Sequence, residues 1–179
     1  MRRTTISGVA LLIGLVLGIV SAINALGSAG LKPVAASPRW SEWRLGEKDN
    51  LLIYSLGHFL GNGQLPPPKS AQYFVRSVDE DGNGLRADCV YVVEGKVTSA
   101  RWWTLSIAPS GVMAAHSELS AGEAVVNQDG DLKISISARP MPGNWIAPAD
   151  SNALMLRYVI NEAMLGEATV LPTVTKRGC

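Results

Sequence analysis

The sequence predicts a mainly β domain, an antiparallel sandwich or jelly-roll-like fold with one short helix, preceded by one N-terminal transmembrane helix. Three observations carry this. Eighteen Gly and ten Pro against 6% aromatics mark many turns between short strands. Alternating apolar and polar segments recur between turn signals at intervals of about 10–20 residues, the spacing of antiparallel β architectures. The chain also opens with a long uncharged apolar run. With 179 residues, 47% hydrophobic and 17% charged, the length suits one domain of ordinary size and excludes a multidomain enzyme. Sixteen Lys plus Arg oppose fifteen Asp plus Glu. Without Arg2 and Arg3 the balance is fourteen against fifteen, a net of −1, so no basic footprint for nucleic acid is visible.

Residues 4–31 carry no charge, and residues 6–26 read ISGVALLIGLVLGIVSAINAL. A helix needs ~20 such residues to cross ~30 Å of hydrocarbon. Arg2 and Arg3 hold the near side in the cytoplasm, so residues 1–5 form a cytoplasmic stub, residues 6–26 a signal anchor, residues 27–39 a tether and residues 40–179 an exported β domain. The expected location is a bacterial inner membrane, single-pass, with the domain in the periplasm and membrane lipid as the anchor's partner. Small residues such as Ser21, Ala22 and Ala25 also suit a cleaved signal peptide, the competing reading, but a cleaved apolar core is usually about 7–15 residues.

Leu51, Leu52, Tyr54, Leu56, Phe59 and Leu60 have the spacing of a short amphipathic helix within residues 40–62, which also contains His58. Beyond Pro66-Pro67-Pro68, strands are expected at 72–78 (QYFVRSV), 89–93 (CVYVV), 101–107 (RWWTLSI), 132–138 (LKISISA) and 153–160 (ALMLRYVI). In the fourth, Leu132, Ile134, Ile136 and Ala138 should point inward and Lys133, Ser135 and Ser137 toward water. The fifth is apolar enough on both faces to lie centrally.

Asp79-Glu80-Asp81-Gly82-Asn83-Gly84 matches the opening of a calcium loop, but the twelfth position, where a bidentate Glu belongs, is Val90. Asp, Asn and Gly also make tight turns, and a hairpin turn is expected. No metal site is expected, because His and Cys pairs at ligand spacing are missing. No cofactor is expected either, because Gly-rich phosphate loops are missing. No nucleophile elbow occurs, and His58 and His116 are the only imidazoles.

Candidate ligand contacts are Arg76, Arg101, Trp102, Asn144, Trp145 and Arg157, because tryptophan faces and guanidinium groups line clefts for small or saccharide-like molecules. Neighbouring Trp102 and Trp103 must face opposite sides of a strand, so one belongs to the core. Cys89 and Cys179 are the only thiols. In an exported domain they suit one intramolecular disulfide; a buried free Cys89 with an exposed Cys179, or pairing between molecules, is the alternative. Without the bridge the tail 173–178 should fray, having little to bury.

Read in order, YFVRSVDEDGNGL, CVYVV, ARWWTLSI, GNWIAP, LMLRYVI and LPTVTKRGC resemble the exported domains catalogued as domain of unknown function 1214. The resemblance covers residues 45–179 and implies a β-rich, jelly-roll-like fold and a bacterial envelope location, with no established catalytic residues. The sequence departs from the longer relatives after Arg157, where it continues Tyr158-Val159-Ile160-Asn161. The first functional expectation is a non-enzymatic ligand-binding or envelope-associated module, with a small molecule or an envelope protein as partner. The rival is a hydrolase or other enzyme acting on a small or saccharide-like ligand.

Overall fold

The computed structural model describes residues 2–28, 34–43, 55–56, 59, 71–96, 102–110, 117–161 and 169–179. One helix, α1 (Arg2–Ser28), precedes ten strands: β1 (Val34–Ala35), β2 (Ser41–Trp43), β3 (Ala71–Arg76), β4 (Val90–Lys96), β5 (Trp102–Pro109), β6 (Ser117–Ser120), β7 (Asp131–Ile136), β8 (Asn144–Ile146), β9 (Leu154–Asn161) and β10 (Thr173–Gly178). They form a six-stranded sheet, β1-β2-β3-β9-β5-β6, and a four-stranded sheet, β10-β4-β7-β8. The fold is therefore mainly β, as the turn-rich composition predicts.

Both sheets feed one core. Phe74, Trp103, Leu105, Ile107, Leu156, Tyr158 and Ile160 from the larger sheet meet Tyr91, Val93, Leu132, Ile134, Ile136, Ile146 and Val174 from the smaller. β9 lies between β3 and β5, and its residues Leu154–Tyr158 are all buried, which explains its lack of alternation. Trp103 is core and Trp102 is 44% exposed, so the pleat divides the pair as expected.

Several expectations need correction. β7 pairs β8 in parallel, so the smaller sheet is mixed rather than antiparallel. Folded structure begins at Val34, not Trp40, because β1 pairs with β2. Ser41–Trp43, ahead of the expected helix, is strand β2, which the sequence reading did not foresee; within that helix Ser55 and Leu56 are helical, and most of it, His58 included, lies outside the described residues. On β7 and just after it, Ser135 and Ser137 are buried and Ala138 is exposed. Trp145 pairs opposite Ser135, and its indole N–H donates to the Ser137 carbonyl at 2.9 Å, so the neighbouring strand withdraws these hydroxyls from water. The tail has more to bury than its sequence suggests: besides the Cys89–Cys179 bridge, β10 pairs with β4, and Val174 is fully buried.

Among the described residues no helix is long and apolar enough to cross a membrane.

Candidate functional site

The sequence-predicted contacts do not converge. Arg157 sits opposite Val75 and Ser106 on the face of the large sheet turned away from the core, whereas Arg76, one register position further along β3, points to the other face. Asn144 and Trp145 belong to the second sheet. Trp102 begins β5, and Arg101 lies outside the described residues.

Three of these side chains serve the fold itself. Arg76 Nε donates to the Val78 carbonyl at 2.6 Å, its Nη2 lies 2.9 Å from Glu80 Oε1, and its guanidinium stacks over the Trp40 ring at 5.7 Å. Glu80 Oε1 also accepts the Val174 N–H, and Trp40 Nε1 donates to the Pro172 carbonyl at 2.7 Å. The cluster thus joins the start of the domain to β3 and β10. Burial lowers the Arg76 pKa and its pairing with Glu80 opposes this. The polar groups of Asn144 are equally occupied. Its Oδ1 accepts the Val125 N–H at 2.7 Å, and its Nδ2 donates to the carbonyls of Val125 and Lys133 at 2.6 and 3.0 Å. Trp145 donates to Ser137.

Arg157 is fully buried, with Tyr73, Trp43, Ser106 and Met155 also buried on its side of the sheet. Burial lowers its pKa, and the Tyr73 hydroxyl partly offsets that. Tyr73 itself is pushed up to about 12 by burial, against the pull of the Arg157 charge.

The loop between β3 and β4 is a tight turn but not the expected hairpin, because the strands it joins lie in different sheets. Asp79 Oδ1 accepts the N–H groups of Asp81 and Asn83 at 3.0 and 2.9 Å, and Gly82 takes the left-handed conformation at φ 88°. Burial raises the Asp79 pKa, but the Asn83 and Asp81 hydrogen bonds and the Lys176 charge hold it below the ordinary carboxylate value. The carboxylate is thus occupied by its own loop, and among the described residues no three His, Cys, Asp or Glu side chains could hold a metal.

Sequence reasoning missed a polar cleft of about 560 Å³ at the end of the sandwich where β4 and β9 begin and β10 ends. Lys176, Arg86, Asn83, Asn152 and Ser110 line it, and the Cys89–Cys179 disulfide forms part of its wall. Arg86 is held by Asp88 through Nε and Nη2. Tyr91 closes the floor, its hydroxyl accepting the Arg86 N–H at 3.0 Å. The signal available in the sequence was Lys176 close to Cys179, once that cysteine is tied to Cys89. A second, open groove of about 860 Å³ lies at the opposite end, with Val125, Val126 and Val170 on its rim.

The family model for DUF1214, a protein of unknown function, matches residues 70–160, more than half of the 179. The chain belongs to the DUF1214 family. The matched stretch runs from β3 through β9 and therefore includes the strands that build most of the core. No curated protein matches the chain. Two crystal structures share the fold. One, the VPA0106 protein of Vibrio parahaemolyticus, is 19% identical with a TM-score of 0.54 over 69% of this chain and 34% of its own. The other, an uncharacterised Burkholderia cenocepacia protein, is 15% identical with a TM-score of 0.52 over 88% of this chain and 49% of its own. This DUF1214 chain thus spans a third to a half of those proteins' lengths.

Proposed function

We propose that the chain is a single-pass protein of a bacterial inner membrane, its N-terminus cytoplasmic and its jelly-roll-like domain in the periplasm, acting as a non-catalytic module that binds a small anionic ligand. The observation that carries the location is the Cys89–Cys179 bridge, since disulfides persist in oxidising compartments and are rare in the cytosol. The uncharged run 6–26 behind Arg2 and Arg3 supports the topology. The polar cleft supports the ligand class. Lys176 supplies a cation, Asn152 and Ser110 supply hydrogen-bonding groups, and the buried Asp79 beneath is already saturated by its own loop. Arg76, Asn144 and Trp145 spend their polar groups inside the fold instead of converging on a reacting centre.

The test is protease added to spheroplasts expressing the full chain, with alkylation of the non-reduced, denatured protein. Digestion of the domain, a protected N-terminal fragment and no free thiol are expected. A protease-resistant domain carrying two alkylated cysteines overturns the reading.

A further inference from the structure

We propose that the end of the sandwich opposite the polar cleft is a membrane-docking face, in which Trp102, Val125, Val126 and Val170 enter the headgroup region of the bilayer that holds α1. This rests on the anchored reading above.

The strand registers fix which end meets the membrane. Val34 pairs with Glu42 and Ala35 with Ser41, while Ser41 pairs with Val75 and Trp43 with Tyr73. Going backward along β1 therefore leads toward the start of β3. Ala71 at that start pairs with Asn161, and Asn161 pairs with Trp102. The chain thus enters the domain from the end where β3 and β5 begin and β9 stops. The same end carries the residues after β6, since Ser120 pairs with Thr104, and those before β10, since Thr173 pairs with Glu94.

The length of the connection then limits the distance. Only residues 29–33 separate α1 from β1. The six steps from Ser28 to Val34, at ~3.3–3.6 Å each, reach at most about 22 Å. A domain so closely tied, entered from this end, presents this end to the headgroups.

Its surface has the matching chemistry. Beyond α1, seven large apolar side chains are exposed among the described residues, and four lie here: Trp102 at 44%, Val125 at 70%, Val126 at 42% and Val170 at 68%. The Trp102 ring lies against Gly122, where an added Cβ would meet it at 3.4 Å, which brings it next to Val125 and Val126. Tryptophan favours the interface, where one side of the indole is apolar and its N–H is wet. Lys96 and Lys133 line the same groove on stems long enough to reach lipid phosphates. Each is ion-paired, Lys96 with Asp131 and Lys133 with Glu94, so apolar burial rather than net charge drives contact. The polar cleft, at the far end, then opens away from the membrane.

The test is the full chain reconstituted in vesicles of phosphatidylethanolamine and phosphatidylglycerol with brominated acyl chains, which quench only tryptophans at the bilayer. Trp40, Trp43 and Trp103 are buried and Trp145 is half-buried with its N–H donated to Ser137, so Trp102 is the exposed reporter. Quenching present in the wild type and lost in Trp102→Phe is expected, as is its fall by half or more in Val125→Asp/Val170→Asp with unchanged near-UV circular dichroism. Equal quenching of wild type and Trp102→Phe, in a chain that floats with the vesicles, overturns the docking alone. A chain that does not float overturns the anchored reading and the docking together. A lipid-independent dimer in detergent that Val170→Asp dissociates assigns the face to a second copy and overturns lipid as its occupant.

Discussion

Replacing either bridge cysteine with alanine should destabilise the oxidised fold by about 4–5 kcal/mol. The bridge spans 90 residues, and the chain-entropy relation for a loop of that size gives about 15 cal/mol/K, or about 4.6 kcal/mol at 25 °C. Cys89→Ala should add up to about 1 kcal/mol, because that side chain is only 2% exposed and leaves a void, whereas Cys179 is at the surface. The fold should nevertheless survive. β10 keeps its ladder with β4, the buried Val174 and the Glu80 hydrogen bonds, and a domain's whole stability is about 5–15 kcal/mol. Urea unfolding of the full chain in mild detergent measures this: with a slope of about 2 kcal/mol/M the midpoint should fall by about 2 M. The slope should also rise, since an uncrosslinked denatured chain exposes more surface. Because each single variant removes the same bond, the double variant should match Cys89→Ala. A double variant costing nearly twice the single ones, or a single cost below about 1 kcal/mol, refutes the reasoning.

Asn144→Ala should cost about 2–3 kcal/mol in thermal unfolding, since it orphans the Val125 N–H and the carbonyls of Val125 and Lys133. Asp79 should contribute stability that is complete above the unfolded carboxylate value of about 3.9 and is lost as pH falls through its depressed folded value; acid unfolding followed by circular dichroism should therefore be shallower in Asp79→Asn. Isothermal titration should find no calcium affinity tighter than about millimolar, because the Asp79 oxygen facing its loop is taken by two backbone N–H groups. Lys176→Ala should weaken binding of a small carboxylate or phosphate to the polar cleft about tenfold in the same calorimeter, leaving the unfolding free energy within about 0.5 kcal/mol of wild type.

The legible strands were the longer ones whose own residues record their burial, on one face or on both. β7 shows Leu132, Ile134 and Ile136 as a period-two stripe, and β9 shows a continuous apolar run because it is buried on both sides. The strands that sequence reasoning missed, β1, β2, β6, β8 and β10, are all at sheet edges, short, or both. β10 has one core residue, Val174, and owes its place to β4 and to the Glu80 side chain, both distant in sequence. Ser135 and Ser137 were misplaced for a related reason: a hydroxyl is buried when a tryptophan from the next strand covers it, and alternation does not encode the neighbour.

The same limit explains the scattered ligand contacts. Arg76 and Arg157 resemble cleft residues because arginine and aromatic side chains are adjacent in type, yet one register step between β3 and β9 sends them to opposite faces. What composition along the chain does hide is a difference between the two ends of the sandwich. Trp102, Val125 and Val170 lie in three separate loops or strand starts, and Asn83, Ser110 and Lys176 in three others, so neither set is contiguous. Antiparallel pairing alternates the direction of successive strands, and the ladders Ala71–Asn161–Trp102 and Thr104–Ser120 collect the first set at the end through which the chain arrives. The second set is collected at the far end. If α1 anchors the chain as proposed, exposed valines at the far end would have no bilayer within reach of the short connection to cover them, so the register of the two-residue strand β1 is what gives the docking proposal its end of the sandwich.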